Sequence, residues 1–360
     1  MTSIHGAADD AQAATQNNRW LNIDQSRPLD VICLGRAGVD LYADQNDTNF
    51  SEVISFNKFV GGSPANIATA IAKLGGKPGF IGCVSGDGLG TYVVDYLTSV
   101  GVDVSGIYRD VSGTRTSLAV TEMRADHPEV VLYRNNAADL SLTVDQVDID
   151  YIKSSKMLLV SGTALSASPS REAALIAMQL AKSVGTLVVL DIDYRAYSWS
   201  NLKTAALYYR LAAQLSDVVI GNREEFAVLE TLPVAYRERG VASEVFGEAL
   251  DDHYAAHCIA DGASLVIVKA GEEGSKIYPA QGAAFRGKVF SVLAKKPFGA
   301  GDAFAGTLLY ALINDYPLVD CVTMAAASAA INVAGDSCTQ ALPDLEQLLE
   351  FIETDSMVHG

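Results

Sequence analysis

Apolar residues fall along this chain in two alternating rhythms. Short unbroken apolar runs occur at residues 30–35, 78–84, 157–160, 187–190, 218–220 and 265–268. Runs of that length without polar alternation suit strands buried on both faces of a parallel sheet. Between them the apolar positions take the spacing of amphipathic helices, at residues 65–74, 89–100, 170–184, 202–215 and 244–261. Strands alternating with helices of this size predict βαβ crossovers, hence an α/β fold with a doubly wound, mainly parallel sheet flanked by helices.

Two stretches break the rhythm. Residues 41–60 and 107–135 alternate apolar and polar positions with no helix between their runs, as in Thr116-Ser117-Leu118-Ala119-Val120-Thr121-Glu122. Alternation with a period of two marks half-buried strands, so these stretches predict a small β-sheet lid beside the main body. Residues 1–28 are polar and rich in Gln, Asn and Ala, and read as a flexible leader that Trp20 and Leu21 could tack onto the body. No repeat or low-complexity linker divides the rest, so residues 29–350 are expected to form one domain carrying the lid.

Charge narrows the partners. The 360 residues hold 26 Lys+Arg against 43 Asp+Glu, a net charge of −17. That balance argues against a nucleic-acid binder, whose affinity rests on clustered cations, and against a polybasic membrane-surface role. A hydrophobic content of 49% with 19% charged residues favours a packed core over disorder. Five cysteines are scattered without a CxxC or a neighbouring His pair, which speaks against a disulfide framework or a zinc site and for a reducing, cytoplasmic setting. Neither a signal peptide nor an apolar run of the ~18 residues needed to span a bilayer is expected.

Two glycine clusters carry the candidate chemistry. In Phe298-Gly299-Ala300-Gly301-Asp302 small residues open a helix running to about Asn314. Backbone N–H groups converging at a helix N-terminus favour an anion. Asp302 is then either a helix N-cap or a carboxylate placed to take an alcohol proton during phosphoryl transfer. In Gly61-Gly62-Ser63-Pro64-Ala65-Asn66 the glycines permit close backbone approach. That segment is either a tight strand-to-helix turn or the floor of a polyol site, with Asn66 offering a donor and an acceptor.

Together, Gly61-Gly62 with Asn66, and Gly299-Ala300-Gly301-Asp302, resemble the two signature motifs of the ribokinase-like (PfkB) sugar kinases. The likeness runs from about residue 30 to residue 343. Asn222-Arg223-Glu224-Glu225 resembles that family's Asn-x-x-Glu element, Lys269 through Gly271 to Gly274 its nucleotide-site strand and turn, and Gly35 with Asp40 the end of its first strand. The resemblance implies ATP-dependent phosphorylation of a sugar-like alcohol. By the same resemblance Asp302 is the general base, and Gly299, Ala300 and Gly301 form the anion hole. Asn222 and Glu225 act through Mg²⁺, Asp40 binds sugar hydroxyls, and Asn332 lies beside the nucleotide. Relatives often pair through the lid, so a homodimer is expected.

Within the family the details look most like a kinase of sugar acids. The residues carrying that likeness are Gly35-Arg36-Ala37-Gly38-Val39-Asp40-Leu41-Tyr42, Phe298, and Asp191-Ile192-Asp193-Tyr194-Arg195 with Trp199. A sugar acid brings a carboxylate, which calls for a fixed cation. Arg36, Arg134 and Arg195 are the candidates, each either touching substrate or paired with a neighbouring acid. Many members place Asp-Thr-x before Gly-Ala-Gly-Asp, where side chains help hold a monovalent cation. Lys296-Pro297-Phe298 stands there instead, so weak or absent K⁺ activation is expected, with Lys296 supplying the charge. Another acid-sugar kinase would share every catalytic residue, whereas Arg36 disfavours a fructokinase or ribokinase. A catalytically silent sugar- or nucleotide-binding relative is the alternative of a different class, and the intact Asp302, Asn222 and Glu225 count against it. The segment Gly35-Arg36-Ala37-Gly38 lacks the helix-opening third glycine of a dinucleotide fingerprint.

Overall fold

The computed structural model describes residues 21–124, 128–236, 248–296 and 298–359. The main sheet has nine strands: β1 (Leu29–Leu34), β4 (Pro78–Ser85), β5 (Asp103–Asp110), β8 (Ser155–Ser161), β9 (Leu187–Asp191), β10 (Val218–Asn222), β11 (Leu265–Lys269), β12 (Ser275–Pro279) and β13 (Phe285–Arg286). Across the sheet they run in the order β13-β12-β11-β10-β9-β8-β1-β4-β5. The ladders from β5 to β11 are parallel, and β12 and β13 add an antiparallel edge.

Successive strand residues enter opposite cores, which is why the strands read as unbroken apolar runs. Val31, Cys33, Met157, Leu159, Val218 and Ile220 pack on one side, against helices α1 (Ser63–Lys73), α2 (Gly88–Ser99), α8 (Ala300–Ile313) and α9 (Leu318–Ala334). Ile32, Leu34, Leu158, Val160 and Val219 pack on the other, against α4 (Ser170–Ser183), α5 (Leu202–Gln214), α6 (Arg223–Tyr236) and α7 (Glu248–Ala260). A short α3 (Ile149–Lys153) precedes β8, and α10 (Leu345–His359) follows α9. Helix α8 is buried along most of its length, and Gly306 lets it lie close on α1: a methyl there would meet Ala70 Cβ at 2.7 Å. Among the described residues no helix is long and apolar enough to cross a membrane.

A separate four-stranded sheet is the lid. It consists of β2 (Gly38–Asn46), β3 (Phe56–Gly61), β6 (Leu118–Met123) and β7 (Val130–Tyr133), in the order β3-β2-β6-β7. Residues 107–110, expected with the lid, belong instead to β5, where Ile107 pairs with Gly82 of the main sheet. As an edge strand β5 is only half covered, and its alternating pattern mimics that of a lid strand. The expectation of a leader over residues 1–28 also needs correction at its end. Residues 1–20, Trp20 among them, lie outside the described residues, but the chain is docked from Leu21 onward. Leu21 is buried, Gln25 Nε2 donates to Ile313 O at 2.9 Å, and Arg27 donates to Ser155 O at 2.9 Å and Val184 O at 2.6 Å. A guanidinium with several donors can tie a polar segment to exposed carbonyls in a way hydropathy does not register.

Candidate active site

The chain leaves β1 toward β4 and β5 on one side and returns through β8 to β9, β10 and β11 on the other. The boundary between β1 and β8 is a topological switch point, and ligands of open α/β sheets bind at the carboxyl ends of strands there. Ser161 closes β8 in register with Asp191 at the end of β9, and Asn222 closes β10 in register with Lys269 at the end of β11. Asp193 follows β9 with φ at +40°, a backbone region that is sparsely populated outside glycine.

The N-terminus of α8 is part of the same site. Gly299 is its N-cap with φ at +91°. A methyl at that position would meet Asn332 Oδ1 at 2.5 Å and Cys338 Sγ at 2.8 Å, so both conformation and space require glycine. No side chain caps the helix, which leaves its first N–H groups and the positive end of its dipole for an anion. Lys269 Nζ reaches this point as well, 3.2 Å from where a methyl on Gly301 would stand. Burial works against the Lys269 charge, but the carboxylates of Asp191, Glu225, Asp302 and Asp193 outweigh it and hold the ammonium above its ordinary pKa.

Asp302 lies in the first turn of α8, where Asn66 Nδ2 donates to its Oδ2 at 2.7 Å. Burial above all, then the charge of Asp193 and, more weakly, that of Asp191, push the Asp302 carboxyl from 3.8 up to about 7, while the Asn66 and Ser63 hydrogen bonds work the other way. The Asp191 and Glu225 carboxyls are likewise raised by burial, against the pull of Lys269. Lys269 Nζ stands 3.4 Å from Asp191 Oδ1, and Ser63 Oγ donates to Asp191 Oδ2 at 3.3 Å. Arg195 Nη2 pairs with Asp193 Oδ1 at 2.7 Å, and its Nη1 stands 4.0 Å from Glu225 Oε1.

Asn222 and Glu225 form a reciprocal cap on α6. The Glu225 N–H donates to Asn222 Oδ1 at 2.8 Å, and the Asn222 N–H donates to Glu225 Oε2 at 2.7 Å. The Asn-x-x-Glu spacing is therefore first a capping box. Buried carboxyls held above their ordinary pKa mark a place where added positive charge is favourable, and hard oxygen donors suit Mg²⁺. Asp191, Asp193 and Glu225 already have protein partners, so a Mg²⁺ here fits as an ion held mainly by phosphate oxygens and water, with these acids around it.

The lid supplies the other wall. Asp40 on β2 is 6% exposed, and Tyr42 Oη donates to its Oδ2 at 3.0 Å. A methyl at Gly61 would fall 2.1 Å from the Asp40 carboxyl, so glycine is what lets the carboxylate lie over β3. Asp40 Oδ1 and Asn66 Oδ1 are buried without a protein hydrogen-bond donor, an arrangement that suits the hydroxyl groups of a ligand. Arg36, just past β1, donates from Nη1 to Ser117 Oγ at 3.2 Å, and its charge opposes the upward effect of burial on the Asp40 carboxyl.

Residues 29–345 match the sequence model of one family, described as pfkB family carbohydrate kinase. The chain belongs to the pfkB family. It is 53% identical over 332 residues to a 5-dehydro-2-deoxygluconokinase of Photobacterium profundum, covering 92% of this chain and 97% of that protein. A 5-dehydro-2-deoxygluconokinase of Geobacillus kaustophilus is 42% identical over 336 residues, covering 93% and 96%. Among solved structures, a fructokinase with bound ATP from Xylella fastidiosa superposes with a TM-score of 0.78 at 24% identity, over 91% of this chain and 98% of that one. The ribokinase-like α/β fold expected from the sequence is the fold of this pfkB kinase.

Of the residues singled out in the sequence, Asp302, Asn66, Lys269, Asn222, Glu225 and Arg195 meet at the strand ends with Gly299, Ala300 and Gly301, while Asp40, Gly61, Gly62 and Arg36 line the lid side. Gly271 and Gly274 shape the turn after Lys269, with φ at +58° and +83°. One assignment needs correction, that of Asn332, and for Arg134 the pairing with a neighbouring acid is the one present. Asn332 is fully buried: its Oδ1 accepts from Lys296 Nζ at 2.8 Å and its Nδ2 donates to Cys338 O at 2.8 Å, so its side chain braces the interior behind the α8 N-terminus and offers no exposed face to a nucleotide. Arg134 is held by Asp139 at 2.7 Å and by Thr163 O at 3.0 Å, so its guanidinium is engaged within the protein at the edge of a cavity of about 430 Å³ beneath β7.

Asp191 and Asp193 are members that sequence reasoning left out of the site. The signal for them was available: both follow the apolar run of β9, at the strand end nearest the switch point. Lys296, expected only as a charge in place of a monovalent cation, is 1% exposed, and its Nζ donates to Phe298 O at 2.9 Å beside the α8 N-terminus. Burial pulls its ammonium below the ordinary value, while Cys338, Asp302 and Asp336 act to keep it charged.

Proposed function

We propose that this pfkB kinase transfers the γ-phosphoryl group of ATP to a hydroxyl of 5-dehydro-2-deoxy-D-gluconate, giving the 6-phosphate in inositol catabolism. The observation that carries the reaction type is the placement of Asp302, raised to about 7 and hydrogen-bonded to Asn66, in the first turn of an uncapped helix. A base with a pKa near neutrality combines a useful ionised fraction with real proton affinity. The acid substrate is supported by the shared name of the two relatives and by Arg36 beside Asp40.

In this reading Asp40 and Asn66 hold the sugar through their unpartnered oxygens, and Arg36 faces its carboxylate. Asp302 accepts the hydroxyl proton as the oxygen attacks phosphorus. The N–H groups of Ala300 and Gly301 and the Lys269 ammonium receive the charge of the transferred group. Mg²⁺, when bound with ATP, neutralises phosphate charge at the carboxyl ends of β9 and β10. Arg195 is a second cation near the transferred group, and Gly271 and Gly274 shape the turn on the nucleotide side.

The test is a kinase screen with MgATP across 5-dehydro-2-deoxygluconate, 2-keto-3-deoxygluconate, fructose and ribose. The first should give the highest kcat/KM. A higher value for 2-keto-3-deoxygluconate would reassign the acid, and a higher value for a neutral sugar would remove the carboxylate argument. A cytoplasmic setting follows from that role. A homodimer through the lid is supported by the open edges of β3 and β7 and the exposure of Ile54, Val130 and Tyr133, and light scattering at the monomer mass would refute it.

A further inference from the structure

Helices α6 and α7 bring together a second group of polar side chains, apart from the phosphoryl-transfer site. Glu230, on α6, is 3% exposed. His257, on α7, has its Nδ1 3.0 and 2.9 Å from the two Glu230 oxygens, and His253 Nε2 lies 3.9 Å from Oε2. The histidines are one helical turn apart and so share a face, with ring centroids 4.1 Å apart. One ligand atom from each of the three residues lies within 4.8 Å of the other two.

A buried carboxylate needs a partner, and here it has more than one. Arg210 Nη1 of α5 stands 3.1 Å from Glu230 Oε1, so neutralising Glu230 does not call for a second imidazole. Two imidazoles and a carboxylate within this distance are a ligand set for a transition ion. We propose that Glu230, His253 and His257 form a binding site for Zn²⁺ or a similar first-row transition ion, bridging α6 and α7.

The chemistry selects that class. Imidazole nitrogen with one carboxylate oxygen suits Zn²⁺, which binds such ligands at about 2.0–2.2 Å and leaves a coordination position to water. Mg²⁺ prefers oxygen donors alone, so this site and the strand-end acids take different ions. With its ring proton on Nε2, His257 offers Nδ1 to the metal. His253 is 39% exposed and can close the 3.9 Å gap by side-chain rotation, which also gives the ion a path from solvent. Arg210 is the competing cation, and it has a second partner in Asp261 Oδ2, 3.8 Å away, to which it can turn when a metal takes Glu230. The sequence reading found no His pair near a cysteine, yet His253 and His257 stand just before Cys258. On a helix, a spacing of four is what places two imidazoles together.

The test uses the full chain, freed of metal by chelation and titrated with zinc sulfate in the absence of nucleotide, read by calorimetry and by thermal unfolding. Wild type should bind one equivalent and melt at a higher temperature. The His253→Ala variant should bind zinc at least about tenfold more weakly while keeping wild-type kinase turnover and the wild-type melting temperature without metal. His257→Ala should weaken binding in the same way, and Co²⁺ in place of zinc should give visible absorption in wild type that both variants lose. Equal zinc affinity in wild type and both variants would overturn the proposal, as would no binding to wild type at about 100 µM zinc.

Discussion

Replacing Asp302 by Asn tests catalysis and electrostatics at one atom. The amide matches the carboxyl in shape and can still accept the Asn66 hydrogen bond of 2.7 Å, so packing is preserved while the base and its charge are removed. Loss of a positioned general base costs about 10²- to 10⁴-fold in turnover. Stability should move the opposite way. The native carboxyl titrates at about 7 against an ordinary value of 3.8, so the native state holds its proton more tightly than the unfolded chain does. Wild type therefore loses stability as pH rises above 3.8, and the loss levels off above about 7. The ceiling is about 4 kcal/mol at about 1.4 kcal/mol per tenfold in proton affinity. Asp302 retains some solvent contact, and screening brings the expected figure to about 1–3 kcal/mol. The assay pairs steady-state kinetics with thermal unfolding from about pH 5 to about pH 8.5. The Asn variant should be nearly inactive yet increasingly more stable than wild type toward high pH, and wild-type kcat/KM should rise with pH to a plateau above about 7. A variant within about tenfold of wild-type kcat would remove Asp302 from the role of base. A melting difference that does not change with pH would mean that its carboxyl is not raised.

Two further outcomes follow from the cations around the site. Because the Lys296 ammonium already sits beside the α8 N-terminus, 2.9 Å from Phe298 O, exchanging K⁺ for Na⁺ at constant ionic strength should leave the rate unchanged within about twofold, whereas several-fold stimulation would refute this placement of charge. Arg36→Ala should raise KM for the acid sugar by about 10- to 100-fold, the range for losing a charge-assisted hydrogen bond, with a much smaller rise for a neutral sugar. An equal rise for both would place the Arg36 contribution in its Ser117 hydrogen bond instead.

What could be read from the sequence depended on whether the signal was local. The buried strands were legible because each is covered on both faces and so has no polar alternation, and the glycine clusters were legible because backbone approach leaves no substitute for glycine. Helix α9 was not, since an Ala-rich run packed by neighbours on several sides has little amphipathic period. Strand β5 was placed with the lid because an edge strand and a lid strand share one pattern. Partners supplied by tertiary structure were the least legible. Arg134 pairs with Asp139 and Thr163, and Asn332 with Lys296, contacts that no spacing rule points to. The Asn222–Glu225 element was found by resemblance, yet its capping geometry shows that one short spacing can start a helix and line a site together.

Helix α8 has a consequence for how such an enzyme can change. In the proposed reaction the N–H groups that receive the phosphoryl and the carboxylate that takes the alcohol proton belong to adjacent residues of one helix, separated by about 1.5 Å of rise per residue. Their spacing is set by the covalent chain and by the packing of α8 on α1, not by the lid. Asp40 and Tyr42 ride on β2, and Arg36 lies at the lid's entry. Substitutions in the lid can therefore exchange one alcohol for another while the distance between base and phosphorus stays fixed. Selectivity at the lid and chemistry at α8 then belong to separate mechanical parts joined at Asn66 of α1, which in that reading faces the sugar and also holds Asp302 at 2.7 Å.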